Sequence, residues 1–393
     1  MIYLKSIILL IIISQPIQAC RLWAVCIKTD KTFSTMSDDE RSEVEAQLAE
    51  FYVQSKSMQN GWSLMCYSDL QDGPVEPLYR SDSPASNDSL LYWSTVNSLL
   101  NFDQGRIGIG HLRLATSGTN EIPNPHPWIF YSQEKSYSLI HNGTLDKQLV
   151  HDLITDNGAD MSWLDAHPPN TFGSGDWGGD GWPSVVDSEL ILLYVMKMVE
   201  LTGDMYEGFQ IALNNLIQAG ASSFQLNLIF SDGDVIMAFG GGSYALHFLE
   251  SEEYFAVMTQ PPQDMDEEWD HIVAQELIII DGDNISRHPD FITVVLDDNH
   301  QSFIPSYFHM EPAYPNPFNS SVQFILNGTT ITPIQVSVYS ISGNKVDEFN
   351  VSSISNEKRL VGWTPPPNLS SGTYFINANS NNLAQTRKIL FIK

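Results

Sequence analysis

Ile17-Gln18-Ala19-Cys20-Arg21-Leu22-Trp23-Ala24-Val25-Cys26-Ile27 joins the end of an apolar leader to the start of a strand, and its reading decides the fold. Upstream, Met1–Ser6 carries one positive charge, Lys5, and the run Ile7–Ile13 is too short to span a bilayer but suits the h-region of a signal peptide. Cleavage after Ala19 makes Cys20 the first residue of the mature chain. A terminal cysteine carries its own general base, because an α-amino group titrates at about 7.7–8.0, close to the thiol at about 8.5. One residue then supplies both nucleophile and base. Two other readings stay open at this point. The same four residues approximate a lipobox, which would acylate Cys20 and block its amine, although Gln18 stands where a small residue is usual. Cys20 also reads as an ordinary buried thiol.

The mature chain is long enough for two domains with their own cores. Nineteen Lys and Arg against 47 Asp and Glu give a net charge of −28, a surface that repels nucleic acid and anionic lipid. Nucleic-acid partners are excluded on that ground. Three cysteines, Cys20, Cys26 and Cys66, are too few for a disulfide scaffold. Cys26 and Cys66 either pair or are simply buried, and burial is the expected state.

Up to about residue 287 strand-like runs alternate with amphipathic helices, whereas from about 311 the text becomes short strands and turns without helical periodicity. Strands are expected over 61–67, 105–113, 137–141, 224–230, 235–239 and 254–258, several apolar on both faces and so buried between layers. Ser37-Asp38-Asp39-Glu40 has the spacing of a capping box ahead of a helix bearing Val44, Leu48, Phe51 and Tyr52. A helix pair is expected over 187–201 and 205–219. The pattern is α+β, with stacked sheets flanked by helices.

Chemistry-bearing residues cluster in four places. Cys20 is the first. Gly110-His111-Leu112-Arg113-Leu114-Ala115-Thr116-Ser117-Gly118 runs from a strand into a turn, where Arg113 can offer a planar fork of donors to a carboxylate or serve a structural ion pair. Asn124-Pro125-His126-Pro127 precedes a strand ending in His141-Asn142-Gly143, and an Asn amide beside a Gly N–H can form an oxyanion hole or a plain tight turn. Asp187-Ser188-Glu189 opens a helix, with Asp187 placed as an N-cap.

In this order the four places resemble the class II glutamine amidotransferase domain, an N-terminal-nucleophile hydrolase, and its stand-alone branch in particular. Asn60-Gly61-Trp62-Ser63, Ser231-Asp232-Gly233, Thr259-Gln260-Pro261 and Glu268-Trp269 fall in the order of that branch. The resemblance implies an αββα sandwich. It also implies that Cys20 attacks a carboxamide carbon, that Asn142 and Gly143 hold the oxyanion, and that Arg113 clamps a substrate α-carboxylate. Asp187 would receive the α-ammonium, while Thr116 and His126 line the pocket. Retaining both Arg113 and Asp187 favours glutamine or a γ-glutamyl compound over a bile salt or a penicillin. Leu114 and Ser117 replace a tryptophan and a histidine of the family pattern, which alters the pocket's shape. With no synthase segment behind it, hydrolysis is expected rather than amide transfer.

Between Gly143 and Asp187 lies Gly173-Ser174-Gly175-Asp176-Trp177-Gly178-Gly179-Asp180-Gly181-Trp182, read as a mobile lid, with calcium on Asp176 and Asp180 as a weaker reading because no EF-hand spacing is present. No cofactor and no metal is called for. The last segment, with Tyr314-Pro315-Asn316-Pro317-Phe318-Asn319, Ser342-Gly343, Trp363 and Ser371-Gly372-Thr373-Tyr374-Phe375, resembles the type IX secretion system C-terminal sorting domain, a small Ig-like β-sandwich. A sugar-binding sandwich is the alternative; alternation puts Trp363, Tyr374 and Phe375 in the core instead.

The expected organisation is a signal peptide over residues 1–19, an amidotransferase-like domain over 20–300, a linker over 301–310 and the sorting sandwich over 311–393. The expected function is an exported amidohydrolase acting on a small-molecule amide, delivered through the periplasm by a secretion machinery to the outside or outer surface. Alternatives are an amidase for another acyl or peptide amide, or a catalytically silent surface protein.

Overall fold

The computed structural model describes residues 20–68, 73–115, 126–242, 245–263, 268–292, 307–329, 333–352, 357–380 and 383–393. The expected leader, Thr116 and most of the expected linker lie outside these residues. The described residues up to Tyr194, with Ala219–Thr293, make one compact unit. Val195–Gln218 and the described residues from 307 onward make the second.

The elements up to residue 292 are β1 (Arg21–Ile27), α1 (Asp38–Gln54), β2 (Trp62–Cys66), β3 (Tyr79–Ser81), α2 (Ser89–Leu100), β4 (Ile107–Leu112), β5 (Trp128–Ser132) and β6 (Lys135–Asn142). After them come α3 (Lys147–Thr155), α4 (Ser162–Ala166), α5 (Asp187–Thr202), α6 (Met205–Gln218), β7 (Asn227–Ser231) and β8 (Val235–Gly240). The series ends with β9 (His247–Glu250), β10 (Tyr254–Met258), β11 (Asp270–His271), β12 (Glu276–Asp281) and β13 (Asn284–His288). Two antiparallel sheets result. One runs β11-β9-β10-β1-β4-β2-β3, and the other β13-β12-β8-β7-β6-β5.

β1 lies at the centre of the first sheet, paired with β10 and β4, and every residue after Arg21 is buried. Its two faces go to different layers, as strand alternation requires. Trp23, Val25 and Ile27 join Val44, Leu48 and Phe51 of α1 and Tyr92, Val96 and Leu99 of α2 in one cluster. Leu22, Ala24 and Cys26 join Ile140, Ile229, Ala238 and Ile278 of the facing sheet in another. The far side of that second sheet carries Phe130, whose ring stacks on Trp163 of α4 at 6.0 Å. The layering is therefore α, β, β, α, and the class is α+β.

Alternation also settles the two inner cysteines. Cys66 belongs to the helix-side cluster and Cys26 to the inter-sheet cluster, with β4 between their strands. Two strand spacings, about 10 Å, and opposite faces put them out of disulfide reach. No disulfide joins these cysteines among the described residues, and Cys20 alone of the three is not buried.

Several local expectations are modified. Ser37 caps α1 by accepting from Glu40 N at 3.4 Å, but the Glu40 carboxylate turns instead to Ser251 Oγ at 2.7 Å, leaving half a capping box. The strand expected from residue 224 starts at Asn227, because Ser222–Gln225 closes a 3₁₀ turn with its own capping box. Asp187 is the first residue of α5, and its carboxylate accepts from Leu145 N at 2.8 Å, a tertiary bond rather than a cap of its own helix. The glycine-rich loop is tied internally: Gly181 N donates to Asp176 O at 2.8 Å, Asp176 N to the Asp180 carboxylate at 3.1 Å, and Thr171 Oγ1 to Gly175 O at 2.9 Å.

The C-terminal part is all-β. β14 (Tyr307–Met310), β15 (Val322–Thr329) and β18 (Glu357–Trp363) form one sheet. The other holds β16 (Ile334–Ser340), β17 (Lys345–Val351), β19 (Gly372–Ser380) and β20 (Leu383–Phe391), in the order β17-β16-β19-β20. Val322, Phe324, Leu326 and Trp363 of the first sheet pack with Val336, Val338, Tyr374, Ile376 and Phe391 of the second. Trp363 and Tyr374 are thus core residues as expected. Phe375 is not: it follows Tyr374 on the same strand, so it faces outward and is only half-buried.

Candidate active site

The site residues gather where the strand ends of the two sheets meet. β4 runs antiparallel to β1, so its C-terminal end, Leu112-Arg113-Leu114, lies beside the start of β1, with Arg21 opposite Leu112. Cys20 Sγ accepts from Leu114 N at 3.4 Å. Burial pushes the Cys20 thiol up; the Leu114 amide and the Arg113 cation oppose that, and the Asp187 carboxylate reinforces it. The resting form is accordingly the thiol.

Arg113 is 3% exposed. Its backbone is gripped from both sides, Arg113 N donating to Gly61 O at 2.9 Å and Asn60 N to Arg113 O at 3.1 Å. Asn60 Oδ1 accepts from Ala115 N at 2.9 Å, so the Asn-Gly-Trp element frames the segment that follows β4. Gly61 needs to be glycine, with φ of 115° and a Cβ position 2.2 Å from Ser81 O. Burial lowers the guanidinium's pKa, while Cys20 and Asp187 act in the other direction. The electrostatic links among Cys20, Arg113 and Asp187 place the three as neighbours.

Asn142 ends β6, buried, and its side-chain Oδ1 has no hydrogen-bond partner. Gly143 follows under tight restraint, because a Cβ there would stand 2.0 Å from Gln225 O and 2.6 Å from His141 Nε2. Sequence reading passed over the residue that holds this turn. Asn227 donates from Nδ2 to Asn142 O at 2.9 Å and accepts at Oδ1 from Gly241 N and Gly242 N at 3.1 and 3.3 Å. A single asparagine thereby joins the ends of β6, β7 and β8. Nothing in the sequence marks it, since an Asn at a strand start is ordinary.

Three buried histidines line the same end. His111 and His126 stack with ring centroids 4.1 Å apart, and His111 Nε2 lies 3.4 Å from His141 O. His141 Nε2 lies 2.7 Å from Gln225 O, a pure acceptor, so Nε2 bears the proton and Nδ1 accepts from Ser188 Oγ at 2.9 Å. Burial holds all three pKa values down, His111 to about 3. Among the described residues neither His126 nitrogen has a hydrogen-bond partner. Glu189 is buried as well; desolvation raises its carboxyl to about 7, and it accepts from Asn170 Nδ2 at 2.7 Å. Among the described residues no group of three His, Cys, Asp or Glu side chains is placed to hold a metal.

Of the seven expected site residues, the structure thus brings Cys20, Arg113, His126, Asn142, Gly143 and Asp187 to one end of the sandwich, and Thr116 lies outside the described residues.

Comparisons with known proteins bear on both parts. Residues 312–393 match the family described as Secretion system C-terminal sorting domain. An uncharacterized protein of Methanocaldococcus jannaschii is 25% identical over 236 residues, 59% of this chain and 54% of its own, so the chain spans about half the length of that relative. The solved structure of a glutamine aminotransferase class-II domain protein from Silicibacter pomeroyi aligns over 68% of this chain and 98% of its own, at 14% identity and a TM-score of 0.38. The chain is thus an exported protein whose residues 312–393 match the secretion system C-terminal sorting domain, carried behind a separate α+β domain.

Proposed function

We propose that this protein is an exported amidohydrolase in which Cys20, as the first residue of the mature chain, cleaves the side-chain amide of glutamine or of a γ-glutamyl compound. The observation that carries this reading is the position of the Cys20 thiol, 3.4 Å from Leu114 N and flanked by the Arg113 cation and the Asp187 carboxylate. A carboxylate and an ammonium on one substrate match that pair of charges.

In the reaction, Sγ attacks the carboxamide carbon as the free α-amine takes the thiol proton. The resulting oxyanion is met by the Asn142 amide and the Gly143 N–H, and losing one such donor typically costs about 3–4 kcal/mol of transition-state stabilisation. The C–N bond breaks, the leaving amine takes the proton from the α-ammonium, and a thioester remains. Water then attacks the thioester, with the amine again as base, releasing a glutamate and restoring the thiol.

The test is the processed full chain against its Cys20→Ala variant, with ammonia release from glutamine as readout and intact mass of the mature N-terminus beside it. Loss of turnover with an unchanged melting temperature, on a chain starting at an unmodified Cys20, is expected. Retained turnover in the variant, or an acylated Cys20, would reject the assignment.

A further inference from the structure

We infer that the loop ahead of α5 is a binding subsite for the leaving group, and that the preferred substrate is a γ-glutamyl amide of a neutral or cationic amine bearing an aromatic ring. This rests on the amidohydrolase reading above.

The loop stands on the candidate site. At its entry Asn170 N and Nδ2 bond to the Glu189 carboxylate, two residues beyond Asp187, and at its exit Lys147 Nζ bonds to Trp182 O at 2.6 Å and to Val185 O at 3.2 Å. Both feet are therefore fixed near the residue assigned to the substrate ammonium. Its internal bonds, from Thr171 to Gly175 and from Asp176 to Asp180 and Gly181, make it a folded element rather than a slack connection.

One residue in it is badly suited to its backbone. Thr171 O accepts from Ser174 N at 3.0 Å, closing a turn whose central residues, Phe172 and Gly173, have φ of 49° and 84°. A turn with both central φ values positive draws Gly, Asn or Asp, whose small or locally bonded side chains tolerate the left-handed region. Phenylalanine is only partly covered there, being 41% exposed. A bulky residue kept strained and exposed points to a use for its ring.

The ring's surroundings name the use. From the buried end of the site outward, His111, His126, Trp128 and Phe172 follow one another with centroid separations of 4.1, 5.7 and 6.2 Å. Phe172 is the exposed end of that series, a flat apolar face, which suits stacking by an aromatic ring. The charge of the leaving group follows from the same loop: Asp176 and Asp180 lie on it and the whole chain carries −28, so an anionic leaving group such as an amino acid is disfavoured.

The experiment compares γ-glutamylbenzylamide with γ-glutamylmethylamide, whose leaving amines are both neutral-to-cationic alkylamines and differ in the ring. Wild-type protein is expected to favour the benzylamide in kcat/KM by about tenfold, the usual scale for filling one apolar subsite. Phe172→Asn, a residue the turn prefers, should bring the two kcat/KM values to within about twofold of each other, with the melting temperature unchanged or slightly raised. Hydrolysis of both amides with equal efficiency, or a preference that survives Phe172→Asn, overturns the subsite and leaves the amidohydrolase reading intact. Hydrolysis of neither amide overturns the subsite, and overturns the amidohydrolase reading as well when glutamine is also left uncleaved.

Discussion

At the scale of single residues, the proposed oxyanion pair depends on a residue outside the expected site set. Asn142 and Gly143 can serve an oxyanion only if their backbone is held, and Asn227 holds it through Nδ2 while its Oδ1 occupies two backbone N–H groups of β8's end. It is a positioning residue. Asn227→Asp keeps the acceptor for Gly241 and Gly242 but sets a carboxylate against Asn142 O, displacing the oxyanion turn. The expected result is a kcat lowered by about 10- to 100-fold, the scale for disturbing such a donor, with KM for glutamine within about twofold. Alkylation of Cys20 by iodoacetamide should proceed at the wild-type rate, because the nucleophile sits on a different sheet. A parallel rise in KM, or slowed alkylation, would mean that Asn227 supports the fold generally and not this turn.

At the scale of elements, legibility followed physical signal. Strands apolar on both faces announced themselves; β10, expected over 254–258, is Tyr254–Met258. α2 was missed because Ser-Leu-Leu-Tyr-Trp-Ser-Thr-Val mixes β-branched, aromatic and small polar residues that suit either state, and only its packing on β2, where the Tyr92 and Trp62 ring centroids lie 5.1 Å apart, decides for a helix. Cys20, Arg113, Asn142, Gly143 and Asp187 were visible as an ordered set. Their supports were not, since Asn227 and the Leu145–Asp187 bond join residues 85 and 42 positions apart. The three histidines, on β4, on β6 and just ahead of β5, set a prediction for these strand ends together. Their pKa values are depressed in the native state, so between about 6.5 and the folded values the unfolded chain binds more protons, and stability falls as pH falls. Glu189 has the opposite sign: raised to about 7, it takes its proton in the native state first and offsets one histidine between the ordinary carboxylate range and 7. The net expectation is proton uptake on unfolding below neutral pH, since three depressed histidines outnumber one raised carboxyl, and hence a lower stability at pH 5 than at pH 7 in urea unfolding. Stability that is flat over that range would show that the histidines are charged or exposed in solution.

At the scale of the whole molecule, two kinds of core lie along one chain. The clusters built around β1 draw on residues up to Phe255, Val257 and Ile280, and the cluster of the β-sandwich draws only on residues from Met310 to Phe391. Neither cluster borrows an apolar residue from the other. The sandwich has its own core and matches a sorting family over 312–393. Removing residues 311–393 should therefore leave glutamine hydrolysis per molecule within about twofold and the first unit's near-ultraviolet circular dichroism unchanged, as expected for domains with separate cores. The truncated protein should remain in the periplasm while the full chain reaches the outside, scored by fractionation and by activity in the medium. Leader processing precedes that last step, so the retained form should already begin at Cys20 and already be active. An inactive periplasmic form would mean that Cys20 is exposed only after sorting, and would move the activating cleavage from the inner to the outer membrane.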